Sequence, residues 1–406
     1  MEPLFLIFAA LSIIGLFAYS LQIWSVRSCR TISAPSCSGE AIPPTAFFPP
    51  ISILKPLKGL DDNLFDNLES FCHQDYPEYE VIFSLQHEND PACKVARMVK
   101  KKYPDKDIII HIERCCAGLN PKVNNLIPAY RIAQHPFILI SDSNVMAGKN
   151  YLTELIQEMR DPGVGLVSNL IRGMGGQSVG AVFENLHLNS FVLGSVSFLD
   201  RFLKMPCVVG KSMLMRKTDL DAIGGFAAVK DVLAEDYLIG KRMHDSGKRV
   251  ILSRHMIDNI NEYWGFRKFL NRHTRWGKLR WHIGGIKYLS ELIGNPVFMS
   301  FLPLAFLGPS LRTVFFAAGV SVCKSAGDFL IGRKIGTDMT VSSYVLSPLK
   351  DILIGIIWFV PIFSNTVVWR GNRYIIGKDS MLAPCPETGI WSFRYRIFDT
   401  IKARFA

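Results

Sequence analysis

The chain has 406 residues, enough for one domain of about 200–250 residues with a full hydrophobic core and a sizeable remainder. Its formal net charge of +11 suits anionic lipid headgroups or an anionic ligand, and by itself does not separate these from nucleic acid. The nine cysteines, at 29, 37, 72, 93, 115, 116, 207, 323 and 385, show no CxxC and no metal-ligand spacing. They exclude a disulfide framework and a zinc site and read as reduced cytosolic thiols.

From Pro3 to Ser25 there is no charge, and Leu4 to Trp24 is about as long as a bilayer core requires. A signal peptide is the competing reading. The run exceeds a signal's apolar region, lacks a basic start and ends at Trp24 instead of a small-residue cleavage site, which predicts an uncleaved transmembrane anchor over 1–26. Arg27 and Arg30 follow at once and only Glu2 precedes, so the N-terminus is expected outside and the following chain in the cytoplasm. Residues 27–50, with Pro35, Pro43, Pro44, Pro49 and Pro50, read as an extended linker.

Over 51–263, short aliphatic runs alternate with helical patterns. Ile51 to Leu54, Val81 to Leu85, Ile108 to Ile112, Phe137 to Ile140 and Gly165 to Ser168 look like strands buried on both faces. Between them Leu64, Leu68 and Phe71 share one helix face, and Val95, Met98 and Val99 another. Repeated strand-then-helix units predict an α/β fold with a doubly wound, mostly parallel sheet, whose ligands sit at the carboxyl ends of the strands.

Three acidic positions lie just past strands or open a helix: Asp90, Asp142 within Ser141-Asp142-Ser143-Asn144, and Asp236 beside Glu235. Each has a structural alternative. Asp90 before Pro91 is a good helix N-cap, Asp142 a turn residue, and Asp236 a first-turn acid. Their recurrence at strand ends favours a ligand site. His87 and Glu88 stand near Asp90 where a further acid would be expected, and Asn144 offers an amide oxygen where a second carboxylate would complete a DxD.

Residues 264–283 carry Arg267, Lys268, Arg272, Arg275, Lys278 and Arg280 with Trp264, Trp276 and Trp281 and no acid, the pattern of a basic amphipathic helix in the headgroup region. Arg272 and Arg275, three apart, share a helix face and could clamp a diphosphate beside the Trp276 indole. Over 284–370, Leu292 to Leu311 and Ile352 to Trp369 are uncharged, and Thr313 to Cys323 is a shorter apolar piece before Lys324, Asp328, Arg333 and Lys334. These are expected to be transmembrane or re-entrant, with two crossings. The basic tail 371–406 is expected in the cytoplasm.

Asp90, Asp142, Asp236 and Arg272-x-x-Arg275-Trp276 match in order and spacing the D, D, D, (Q/R)xxRW signature of family 2 and family 21 glycosyltransferases with lipid acceptors. Leu54-Lys55-Pro56-Leu57-Lys58-Gly59, Gly118 to Leu126, Val209 to Lys217 and Ala234-Glu235-Asp236-Tyr237 resemble the ceramide glucosyltransferase family. That resemblance implies a GT-A catalytic domain over 51–263 and inverting transfer of a hexose from a UDP-sugar, UDP-glucose first, to ceramide in the bilayer. Asp236 would be the general base, with Glu235 its rival. Asp90, Lys122, Asp142, Arg272, Arg275 and Trp276 would bind the nucleotide-sugar, and Asp142 with Asn144 would hold Mg²⁺ or Mn²⁺. The expected protein is multi-pass, with its catalytic domain on the cytoplasmic face and no nucleic-acid partner. Hopanoid glycosyltransferases, which use an amino-sugar donor, share much of this motif set and remain an alternative. A non-catalytic protein docking on lipid is the alternative from another class, and it leaves the acidic and RxxRW motifs unexplained.

Overall fold

The computed structural model describes residues 2–28 and 47–385. Cys29, Cys37, most of the proposed linker and the tail beyond residue 385 lie outside the described residues. In chain order the elements run α1 (Glu2–Ser28), β1 (Ile51–Pro56), α2 (Leu64–Cys72), β2 (Tyr79–Leu85), α3 (Pro91–Lys102), β3 (Ile108–Ile112), α4 (Pro121–Ile132), β4 (Phe137–Ser141), β5 (Val145–Met146), α5 (Tyr151–Gln157), β6 (Val164–Met174), α6 (Val179–His187), α7 (Leu193–Leu203), β7 (Ser212–Arg216), α8 (Lys217–Ala222), α9 (Glu235–Asp245) and β8 (Arg249–Ile260). There follow α10 (Phe266–Gly284), α11 (Leu289–Ile293), α12 (Pro296–Leu307), α13 (Leu311–Ile335), α14 (Ser347–Ile357), α15 (Val360–Phe363), β9 (Thr366–Trp369), β10 (Asn372–Ile376) and β11 (Leu382–Pro384).

The described residues divide into two compact units: 47–174 with Leu199–Glu262, and 2–28 with Gly175–Phe198 and 263–385. The continuous domain expected over 51–263 is therefore interrupted. Residues 175–198 group with the terminal segments because Ser178 Oγ bonds the Trp264 carbonyl (2.8 Å) and Gly180 lies flush on that same backbone, where a methyl would overlap Gly265 at 2.9 Å.

The first unit is built on a sheet of order β3-β2-β1-β4-β7-β6-β8-β5. β1 pairs in parallel with both β2 and β4, so the strand order reverses between β1 and β4, the place where doubly wound sheets open a crevice for ligands. β1 is buried along its whole length, as its Ile51, Ile53 and Leu54 require, yet it carries Lys55 near its carboxyl end. The sheet is mixed: β7 runs antiparallel to β4 and β6, and β5 antiparallel to β8. One core layer packs Leu126, Ile138, Ile140, Met213, Met215, Ile239 and Met243. The sheet and its flanking helices meet the GT-A expectation.

The second unit is helical, with a small antiparallel sheet β9–β11. Glu2–Val26, Leu311–Ile335 and Val341–Phe363 are long and apolar enough to cross a membrane, and Phe266–Ile293 with Pro296–Leu307 forms a pair bent by 68° that passes the same test together. The sequence boundaries shift here. The uncharged run 292–311 is not one helix, because Asn295 caps Phe298 N ahead of Pro296 at the first helical position, and Gly308 at φ 83° ends α12. α13 continues past Cys323 because Lys324 Nζ pairs with Asp328 (2.6 Å) one turn on, and Asp328 also accepts from Ser347 Oγ (2.7 Å). Residues 366–369 are a strand instead of the end of a span, and part of the expected tail, 372–376 and 382–384, joins it in the small sheet.

Candidate active site

Asp142 follows β4 directly, at the reversal of strand order. Its Oδ1 meets Lys122 Nζ and its Oδ2 meets Lys211 Nζ, both at 2.9 Å. Lys122 comes from the first turn of α4, which Asn120 starts by accepting from Lys122 N and Val123 N, with Pro121 at the first helical position. Lys211 precedes β7 and lies across from Asp142, whose amide donates to the Lys211 carbonyl (3.2 Å). Lys55 reaches the same spot, its buried ammonium donating to the Asp142 carbonyl (3.1 Å) and Ser141 Oγ (3.2 Å) over the Phe71 ring.

Lys122 is the hub of the cluster. Besides Asp142 it meets Glu235 Oε1 (3.0 Å) and the Gly210 carbonyl (2.9 Å). Glu235 is buried, and its other oxygen accepts from Asn120 Nδ2 (3.1 Å). Both of its oxygens are thus engaged in holding α4 to α9. Asp236, by contrast, accepts from the Tyr237 amide (2.8 Å) and faces Gly210. The geometry separates the two rivals: Glu235 is a strut, and Asp236 is the acid with a carboxylate oxygen to spare.

Electrostatics separate Asp142 from Asp236. Burial by itself would raise the Asp142 carboxyl, but the Lys122 and Lys211 ammonium groups outweigh it and hold Asp142 well below the usual carboxylate range. Burial raises Asp236 to about 6, helped by the neighbouring Glu235 charge and opposed by Lys122. Desolvation lowers Lys55 to about 7 against the attraction of Asp142.

Gly210 is required at its position. A methyl there would come within 2.8 Å of Asp236 Cβ and Cγ. Gly210→Ala is expected to displace the Asp236 carboxylate and lower turnover by about 10²-fold while the protein stays folded, the scale of a sub-ångström to ångström misplacement of a reacting group. Turnover measured beside a thermal melt checks this; unchanged turnover would contradict it.

Asp90 does what a helix N-cap does. Its carboxylate accepts from Ala92 N (2.9 Å), the amide of the first turn of α3, and from Gly59 N (2.9 Å), tying that loop to the strand ends. Asp90→Ala is expected to destabilise the fold by about 1 kcal/mol, read as a lower melting temperature.

The RxxRW residues lie in the second unit on α10. Arg272 is buried, its guanidinium 4.3 Å from the Trp276 ring and 5.0 Å from the Trp264 ring, with Nη1 3.3 Å from Glu184 Oε1. His273 Nε2 meets the other Glu184 oxygen at 2.8 Å. Arg275 is half-buried above the Trp369 ring (5.6 Å). A helix lying only in the headgroup layer would leave these groups in water; here Arg272, His273 and Lys278 are buried. Sequence reasoning passed over Lys55, Lys211 and Glu184. For Lys55 a signal existed, a lysine inside an aliphatic strand, where an unpaired charge is costly.

A divalent ion does not fit the donor set. Asp142 Oδ2 and Asn144 Oδ1 converge on one point, and Lys211 Nζ occupies it at 2.9 and 2.7 Å. Among the described residues no three His, Cys, Asp or Glu side chains gather as a metal site. Both Asp142 carboxylate oxygens are held by ammonium groups, Lys122 and Lys211 at 2.9 Å, so an ion there would face two like charges at close range.

The profile of glycosyl transferase family 21 matches residues 7–382. The chain belongs to glycosyltransferase family 21. Ceramide glucosyltransferase 1 of Caenorhabditis elegans is 29% identical over 82% of this chain and 73% of its own length. Ceramide glucosyltransferase 3 of the same organism is 28% identical over 83% and 74%. Among solved structures, a mannosyltransferase from Pyrobaculum calidifontis in complex with GDP-Man and Mn²⁺ is 16% identical at a TM-score of 0.48, covering 88% of this chain and 99% of that one. This family 21 chain is a glycosyltransferase, and it contains helices able to span a membrane.

Proposed function

We propose that this enzyme transfers glucose from UDP-glucose to the primary hydroxyl of ceramide, with inversion, on the cytoplasmic face of the membrane. The names of its relatives support the acceptor and sugar. Arg27 in the last turn of α1 and Arg30 beyond it in sequence support the orientation with the N-terminus outside, and the three helices long and apolar enough to cross support several passes. The observation that carries the chemistry is Asp236: a carboxyl raised to about 6, one oxygen spare, at the carboxyl end of a sheet whose lysines favour an anionic ligand.

In this reading the acceptor oxygen attacks the anomeric carbon as its proton passes to Asp236, and the sugar–phosphate bond breaks in line, its electron pair leaving with UDP. Lys122 and Asp142 shape the nucleotide pocket, and Asp90 holds the loop beside the uridine.

Purified protein in nanodiscs, given UDP-[¹⁴C]glucose and either ceramide or a hopanoid polyol, is expected to label ceramide. Label on the hopanoid alone, or label from UDP-N-acetylglucosamine alone, would overturn this choice of substrates. Because Asp236 must start ionised, kcat/KM is expected to fall as pH drops through about 6. A profile flat down to pH about 4.5 would remove Asp236 as the titrating base.

A further inference from the structure

We propose that Lys211 stands in for the divalent cation, so that the donor diphosphate is neutralised by lysine ammonium groups and the enzyme binds UDP without metal. This rests on the nucleotide-sugar reading above and deepens it. The position between Asp142 Oδ2 and Asn144 Oδ1 is where two oxygen donors converge, and a side chain of the protein's own fills it, Lys211 Nζ at 2.9 and 2.7 Å. Lys211 is fixed there from both sides along the chain. Its carbonyl accepts from Asp142 N, and Ser212, next in sequence, pairs with Ser141 in the β4–β7 register.

The local charges around Asp142 agree: Lys122 and Lys211 each hold one of its carboxylate oxygens, and the Lys55 amine donates to its carbonyl. A divalent ion added to this set would sit within reach of several ammonium groups in a partly desolvated place, where like charges repel strongly. An incoming diphosphate takes the reverse role. It competes with Asp142 for Lys122 and Lys211, which turn from one carboxylate to the phosphate oxygens while Asp142 keeps the two amines together. As the sugar–phosphate bond breaks and its electron pair goes to the diphosphate, the ammonium groups balance the added negative charge. The acceptor's proton goes to Asp236, and no other reactant is needed.

The substitution of a lysine for an ion has a specific consequence. Removing the Lys211 ammonium leaves Asp142 Oδ2 and Asn144 Oδ1 open, and a metal ion can then enter. The test measures UDP binding by calorimetry on the full-length protein in nanodiscs, in EDTA and in Mn²⁺, for the native chain and for Lys211→Met, which keeps the side-chain stem. The native protein is expected to bind UDP equally in both buffers. Lys211→Met is expected to lose about tenfold or more in EDTA, the scale of a charge-assisted hydrogen bond, and to recover in Mn²⁺. Native binding that requires Mn²⁺ would overturn the proposal, as would Lys211→Met binding normally in EDTA or failing to recover in Mn²⁺. UDP binding by the native chain in neither buffer would overturn the nucleotide-sugar reading itself.

Discussion

Asp236→Asn is expected to lower transfer by about 10²–10⁴-fold with UDP affinity retained, the range that a positioned general base contributes. The amide keeps the size of the carboxyl and can still accept from Tyr237 N (2.8 Å), so the start of α9 holds its shape. What it cannot do is take a proton. Glu235 does not replace it, because Lys122 and Asn120 engage both its oxygens. The loss should fall on kcat, and the acid limb of the pH profile should disappear with it. Undiminished turnover would mean that another group takes the proton.

The second large effect is on stability. Glu184 is fully buried, with the Arg272 guanidinium at one of its oxygens and the His273 ring at the other. Glu184→Ala leaves a guanidinium buried between Trp264 and Trp276 without its counter-charge, and removing one member of such a pair costs about 3–5 kcal/mol. A strong fall in melting temperature is expected. Glu184→Gln, which keeps shape and a hydrogen-bond acceptor, should lose less stability. Equal melting temperatures for Glu184→Ala and the native protein would refute the ion-pair account.

Much of the first unit was legible because parallel strands covered on both faces must be aliphatic, and helix starts carry their own caps. Ile51 to Leu54, Phe137 to Ile140 and Asp90-Pro91 all announce themselves that way. The ionic core of the site was not legible. Lys211 and Lys122 lie 89 residues apart in sequence (211 − 122), and only the antiparallel placement of β7 against β4 brings Lys211 to Asp142. Local pattern carries no information about that register. The C-terminal helices were misjudged for a related reason: counting charges along the chain stops a span at Lys324, whereas Lys324 and Asp328 pair within the helix and let it continue. Likewise, the basic face of α10 reads as a headgroup-seeking stripe until Glu184, far back in sequence, pairs with Arg272 and His273.

The central claim is a single displacement at the anomeric carbon with Asp236 as base and a lipid hydroxyl as nucleophile. The anomeric configuration of the product tests it most directly. Proton NMR of glycolipid made by the purified enzyme from UDP-α-glucose and ceramide is expected to show only the β-linked glucoside. An α-linked product, or glucose released to water with no glycolipid formed, would contradict the account.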